Sequence, residues 1–306
     1  LRIKNPSSKN MKPIYKIVFI FSVIITIVAI IATFSYGLKL GVDFKGGSVM
    51  ELDFKGGRPE VEDIQKSLEP LALKELNLSL AGSNGVMIRS SELTEDVHQQ
   101  LLDKIKLDFP KADLQEMRFD SVGPIIGQEL KSKSIIAIII VLISVIIYIA
   151  LVFRKLSRTL SPWAMGVSAV AALVHDIFIP VGVFAILGHF YNIEISAVFV
   201  AAALTILGYS VSDTVVVFDR VRENIIRGKT KEDFGTTVHH SIMQTLSRSL
   251  NSTFTTLLSL IAIYIFGGET VKYFALALII GVFLGAYSSI FIASPLLVWW
   301  TNRKHA

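Results

Sequence analysis

With 306 residues, 52% of them hydrophobic, and a mean hydropathy of +0.58, the chain is too apolar for a soluble globular protein; at 18% charged residues it is too polar for a bare helix bundle. That balance describes an integral membrane protein with a water-facing domain. The net charge of +5 does not argue for nucleic acid, because the basic residues sit beside apolar runs where membrane orientation explains them, and the lack of cysteine excludes disulfides and thiolate metal sites.

Residues 1–13 form a basic segment (Arg2, Lys4, Lys9, Lys12) expected on the cytoplasmic side. The apolar run 14–36 follows. Its length, and the absence of a small-x-small cleavage pattern at its end, make it an uncleaved first span rather than a secretory signal. The chain opens at Leu1 without an initiator Met, which leaves open further residues, or a fusion partner, upstream.

Residues 37–133 are the one long polar insert. Met50, Leu52 and Phe54 alternate with acids, giving a strand with one buried face. Pro59 opens a helix with the stripe Val61, Ile64, Leu68 and Leu71. Leu76, Leu78 and Leu80 then alternate with polar residues, and Ser83-Asn84-Gly85 turns the chain into Val86-Met87-Ile88; Asn-Gly predicts a type I′ hairpin. Thr94 caps a second helix along Val97, Leu101 and Ile105, Pro110 stops it, and a last strand runs over about 114–119. The order β-α-β-β-α-β predicts an α+β ferredoxin-like domain inserted after the first membrane helix.

Five more apolar runs make up 134–300: about 134–153, 163–187, 196–218, 250–266 and 273–300, the fifth of the six spans starting somewhat earlier on a polar turn near Ser247. Arg154, Lys155 and Arg158 follow the second span and Arg220, Arg222, Arg227, Lys229 and Lys231 the fourth, while Arg303 and Lys304 close the tail at 301–306. The opposite loops, 188–195 and 267–272, hold Lys272 as their one Lys or Arg. Both termini are therefore expected in the cytoplasm, with the insert outside it.

Within the fourth span stands a single carboxylate, Asp213, six residues before Asp219 and so about 9 Å inside the helix end. Insertion scales put an ionised Asp there at about 2.5 to 3.5 kcal/mol, a cost that calls for a partner or a task. Arg248 opens the next span at similar depth. A guanidinium within about 4 to 6 Å favours the carboxylate and its withdrawal favours the protonated acid, so the two residues could form a proton switch; the alternative is a static pair that fixes helix register. His175-Asp176 in the third span either extends a proton path or is a neutral acid bonded to its neighbours.

Ser247, Ser249, Ser252, Thr253, Thr255, Thr256 and Ser259 crowd the fifth span, for a hydrated path or for interhelical hydrogen bonds. Gly281 and Gly285 form a GxxxG pair for helix packing, and Gly208 and Ser212 a weaker small-xxx-small pair on the Asp213 helix. His239-His240 has no ligand-like companion and reads as a solvated loop pair. Gly41-Val-Asp-Phe-Lys-Gly-Gly47 lacks P-loop spacing, so Gly46 and Gly47 are expected to permit a backbone turn into the strand. The run 220–231 reads as a solvated, lipid-facing basic segment or a docking segment.

Two of these stretches, Gly41 to Gly47 and Leu207-Gly-Tyr-Ser-Val-Ser-Asp-Thr-Val-Val-Val-Phe-Asp-Arg-Val-Arg-Glu-Asn224, resemble signatures of the SecF family of bacterial protein-export subunits. Val174-His-Asp176, Asp120-Ser-Val-Gly-Pro124, Ser247-Arg248 and Tyr287 to Pro295 resemble further blocks in the family's order. Ser212 departs from the family's usual Asn before the Asp. The resemblance implies six spans with one large domain after the first, a half-size relative of resistance-nodulation-division transporters. It also implies a multi-pass protein of the bacterial inner membrane that pairs with SecD, associates with the SecYEG channel and has YajC and YidC as possible further partners. Such a subunit uses the proton-motive force, with no cofactor but the proton, to help unfolded preproteins across.

Two other readings stay open: a small-molecule exporter fragment of the same superfamily, for which the insert is small, and a passive assembly scaffold, for which Asp213 and Arg248 would be dispensable. No HExxH, Ser–His or Gly-x-Ser-x-Gly arrangement occurs in the spans, so no enzyme is expected.

Overall fold

The computed structural model describes residues 13–154, 161–227 and 233–303. The basic residues expected to set orientation at positions 2, 4, 9, 12, 155, 158, 229, 231 and 304 lie outside them. The chain divides into two compact units, one of residues 40–135 with 194–197, the other holding the rest.

The smaller unit begins with a four-residue helix α2 (Val42–Lys45), which delivers the chain into β1 (Gly47–Phe54). Gly46 and Gly47 make that turn at φ of +83° and +121°, and a Cβ on Gly47 would lie 2.6 Å from the Ser90 carbonyl oxygen, so only glycine fits. Then come α3 (Val61–Leu68), β2 (Asn77–Ala81), β3 (Gly85–Ser90), α4 (Glu95–Asp108) and β4 (Leu114–Val122). The strands form one antiparallel sheet in the order β2-β3-β1-β4, with Met50 opposite Ile88 on one side and Phe119 on the other. Met50, Leu52 and Phe54 of β1 bury their alternating face against Ile64 and Leu68 of α3 and Leu101 and Ile105 of α4. Each side chain buried in this way contributes about 1.5–3 kcal/mol.

The hairpin between β2 and β3 is not the type I′ turn that Asn84-Gly85 predicts. Gly85 is already in β3 opposite Ala81, and Gly82 takes the positive φ, +61°. A Cβ on Gly85 would lie 2.4 Å from the Ala81 carbonyl oxygen, so strand approach, and not turn geometry, demands the glycine. Thr94 precedes α4 as expected, but its hydroxyl makes no capping bond.

Residues 194–197 belong to this unit through four contacts. The Gly41 amide donates to the Ile195 carbonyl at 2.9 Å, Leu40 and Ile195 pair as a parallel bridge, and Arg89 meets Glu194 at 3.2 Å. Asp43 Oδ2 accepts the Ala197 amide at 2.7 Å.

The larger unit is helical. Among the described residues six helices are long and apolar enough to cross a membrane: α1 (Pro13–Tyr36), α5 (Pro124–Val152), α6 (Pro162–Tyr191), α7 (Ala197–Ile226), α8 (Phe234–Phe266) and a last rod. That rod is α9 (Glu269–Ser288) and α10 (Ser294–Arg303) joined by a π-helical turn over Ser289–Ala293. α6, α7 and the last rod are about half buried, whereas α1, α5 and α8 present most of their apolar surface outward. The core gathers where α5 and α7 end and α6 and α8 begin, around Ile149, Phe153, Met165, Ala169, Phe218, Val221, Val238 and Leu297.

The fifth span departs most from expectation. α8 starts at Phe234, well before Ser247, with Asp233 as its cap: Asp233 Oδ2 accepts the Thr236 amide at 3.3 Å. Thr237, Ser241 and Thr245 are buried along its first turns, so polar residues that break a hydropathy run are here packed helix. His239 and His240 therefore lie on a helix and not in a solvated loop, and the Tyr15 hydroxyl of α1 is 2.8 Å from His239 Nδ1.

Candidate functional site

Asp213 lies midway along α7 with 9% of its surface exposed. The Ser249 hydroxyl of α8 donates to its Oδ2 at 2.6 Å. Arg248, one residue earlier, is exposed, and its guanidinium is not among the ion pairs within 4.0 Å that the described residues make. Adjacent residues on a helix point about 100° apart, so the face that brings Ser249 to α7 turns Arg248 off it. Sequence depth brings Asp213 and Arg248 to the same level, and the geometry then gives the direct contact to the neutral neighbour.

A polar seam extends this contact along both helices. Tyr209 Oη donates to Thr253 Oγ1 at 3.2 Å one turn away, and Asn224 Nδ2 donates to Ser241 Oγ at 2.8 Å and Gln244 Oε1 at 3.1 Å at the other end. Of the hydroxyls of α8, Ser241, Ser249 and Thr253 thus reach α7. Ser252, Thr255, Thr256 and Ser259 donate back to carbonyls of their own helix, the usual recourse of hydroxyls in apolar surroundings.

Asp176 on α6 is fully buried in a second cluster. Its Oδ2 accepts from Ser210 Oγ of α7 at 2.5 Å and from Ser288 Oγ of α9 at 2.6 Å, and its Oδ1 lies 2.8 Å from His175 Nδ1. The His175 ring stacks on Tyr287, whose hydroxyl is 2.7 Å from Ser22 Oγ of α1. Ser210 and Ser288 were not legible as partners of Asp176. Their sequence-level signals are that Ser210 sits a single turn from Asp213 and that both lie in the family-like stretches 207–224 and 287–295.

Gly281 and Gly285 allow this cluster to form. A Cβ on Gly281 would lie 2.3 Å from Ile206 of α7, and one on Gly285 would lie 3.1 Å from the Cβ of Ser210, so α9 rides close on α7 and Ser288 reaches Asp176. Gly208 and Ser212 are exposed, and Gly208 has nothing within 4 Å of where a Cβ would stand. With Ala201 and Thr205 they form an outward stripe of small residues, beside the outward polar face of α8 made by Arg248, Asn251, Ser252 and Thr255.

The end of α7 is less basic than its sequence reads. Arg222 pairs with Asp219 at 2.8 Å, Arg227 pairs with Glu223 at 2.7 Å, and Arg220 also pairs with Glu223. Each of these three arginines thus has a carboxylate partner on its own helix, Glu223 serving two of them.

The family model for "Protein export membrane protein SecD/SecF, C-terminal" matches residues 103–303, and the model for the "SecD/SecF GG Motif" matches residues 31–57. The chain is 40% identical over 296 residues to the protein translocase subunit SecF of Thermobaculum terrenum, covering 93% of this chain and 92% of that one. It is 38% identical over 265 residues to the protein translocase subunit SecDF of Brucella abortus, where the match covers 86% of this chain and 33% of the relative. Among solved structures it is similar to SecDF of Thermus thermophilus, described as a translocon-associated membrane protein, with a TM-score of 0.79 and 31% identity. That match covers 94% of this chain and 38% of the SecDF chain, so this chain spans little more than a third of its structural relative.

Proposed function

Since the chain belongs to the SecD/SecF family of protein-export membrane proteins, we propose that it is the SecF-type subunit of the Sec export machinery and couples proton movement at Asp213 to preprotein translocation. The observation that carries this reading is a carboxyl nine-tenths buried in a membrane helix and held by a neutral hydroxyl, with a mobile-length cation one residue away on the same facing helix. Among the described residues no cation pairs with Asp213 within 4.0 Å, which leaves the buried carboxyl open to a proton. When Arg248 swings toward it, the carboxylate is favoured and the proton leaves. One proton crossing the membrane potential supplies about 2.3 kcal/mol per 100 mV, comparable with the cost of repacking helix contacts.

Pairing with SecD is supported by the outward face that α7 and α8 share. A stripe running Ala201, Thr205, Gly208 and Ser212, next to Arg248, Asn251 and Ser252, is too polar to suit acyl chains and suits another helix bundle. The SecDF relative, in which a matching segment is about a third of one longer chain, supports the same partner. Element order and strand order in the smaller unit support a ferredoxin-like domain, and the distribution of Lys and Arg supports a position for it outside the cytoplasm with both termini inside. We assign the subunit no catalytic chemistry and no cofactor beyond the proton.

The test is preprotein translocation into proteoliposomes containing SecYEG, SecD and this chain, with and without an imposed proton gradient. Asp213→Asn and Arg248→Met are expected to assemble normally and to lose the gradient-dependent increment. Retention of that increment by Asp213→Asn removes the coupling role, and loss of the complex itself favours a scaffold.

A further inference from the structure

The His175–Asp176 cluster is a buried acid that the switch at Asp213 does not use. Its surroundings decide where a proton can sit. Both acceptor positions of Asp176 Oδ2 are taken by hydroxyl donors, Ser210 Oγ at 2.5 Å and Ser288 Oγ at 2.6 Å. That leaves the 2.8 Å line between Oδ1 and His175 Nδ1. No Lys or Arg forms an ion pair with Asp176 among the described residues, and an uncompensated charge at this depth is costly. A single proton on that line would leave the dyad neutral as a whole.

A second observation points from this dyad toward Asp213. Two buried hydroxyls have no hydrogen-bond partner among the described residues, Thr214 Oγ1 on α7 and Ser168 Oγ on α6, exposed by 1% and 0%. Buried hydroxyls without a protein partner mark sites for ordered water. Thr214 lies one turn beyond Ser210 on the same face of α7 and is the residue after Asp213. Ser210, which holds Asp176, shares a face of α7 with Thr214, and Thr214 is the chain neighbour of Asp213.

We infer that the His175–Asp176 dyad is a second proton-holding site that exchanges with Asp213 through Ser210 and a water held at Thr214. The inference rests on the proposed proton coupling at Asp213. In the transfer the Ser210 hydroxyl turns from Asp176 Oδ2 to the water and the dyad's proton moves to Oδ2; that proton then passes to the Ser210 oxygen as Ser210 gives its own proton to the water, and the water gives one to Asp213. One proton leaves the dyad and one arrives at Asp213; no electron moves. The negative charge changes places, from α7 to α6. α7 and α9 both contact the dyad, so the charge shift acts on the packing of the helix that carries Asp213.

The same proteoliposomes test it with three variants, Asp176→Asn, Thr214→Val and Asp213→Asn, read by gradient-dependent translocation, by complex assembly and by carboxyl bands in infrared difference spectra on a pH jump. Thr214→Val keeps shape and removes the hydroxyl. The expected result is that Asp176→Asn and Thr214→Val each lower the gradient-dependent rate by at least about tenfold, with assembly intact and with the Asp176 band lost in the first variant. If Asp176→Asn does not assemble, Thr214→Val carries the test alone. If Thr214→Val raises the melting temperature and couples normally, its hydroxyl was a dry defect and the exchange route is overturned. Loss of coupling in Asp213→Asn with full coupling in the other two overturns this inference and leaves the proposed function standing. Full coupling in all three overturns both.

Discussion

Ser249 and Arg248 show how one helical step divides two roles. Ser249 places its hydroxyl on Asp213 at 2.6 Å, while Arg248 faces outward. Losing that donor leaves a buried carboxyl short of a partner, which costs about 1–3 kcal/mol. Ser252, three residues on, is exposed and bonds back to the Ser249 carbonyl, so its removal stays within about 0.5 kcal/mol. Thermal unfolding of the purified complex is therefore expected to separate Ser249→Ala, clearly destabilised, from Ser252→Ala, nearly unchanged. Equal effects would mean that Asp213 has another donor. Asp213 itself was legible, because a lone acid in an apolar run of span length is conspicuous in any sequence. Its contact was not, because the choice between Arg248 and Ser249 depends on the rotation of α8 about its axis, and a spacing of one residue does not fix it.

At the scale of elements, the two small-residue pairs have opposite surroundings. Gly281 is pressed on Ile206 while Gly208 faces open space within the chain. Gly281→Val is expected to unpack α9 from α7 and destabilise the fold by a few kcal/mol, about the upper range of overpacking. Gly208→Val is expected to leave the subunit folded and to weaken its co-purification with SecD, and intact association would remove that face from the interface. In the smaller unit, α4 carries two carboxylates held below the ordinary range. Lys104 and Ser67 hydrogen-bond Asp108, and Gln99 and His98 hydrogen-bond Glu95. A depressed carboxylate stabilises the fold above its unfolded pKa and loses that contribution as pH falls through the folded value. Unfolding of the protein followed against pH is therefore expected to show stability lost below about pH 4 as these two carboxylates are protonated. Helix limits were only partly legible: hydropathy marks where a helix crosses lipid, and α8 runs on through Thr237, Ser241 and Thr245, which are polar yet buried. The π-helical turn after Ser288 was not legible, because a change of backbone hydrogen-bond register leaves no mark in composition.

At the scale of the whole molecule, each unit has a core of its own, and both acids lie in the helical one. The half-buried helices α6, α7 and α9 enclose Asp176, Asp213 of α7 is held by Ser249 of α8, and α1, α5 and α8 leave most of their apolar surface outward. This division follows from the residues: serines and glycines on α7 and α9 permit close approach, and isoleucine-rich α5 does not. Six spans and one inserted α+β unit could be read from run lengths and alternation alone. The link of residues 194–197 to the smaller unit could not, because it is made by the backbone of Gly41 and by the distant side chains of Asp43 and Arg89. The most direct test of the central claim follows proton flux and export in the same vesicles, with a co-reconstituted light-driven proton pump switching the gradient on and off. Illumination is expected to start proton flux and to raise the translocation rate together in the parent complex. Asp213→Asn is expected to abolish both increments while gradient-independent translocation continues. Light-dependent acceleration that persists in Asp213→Asn would contradict the account.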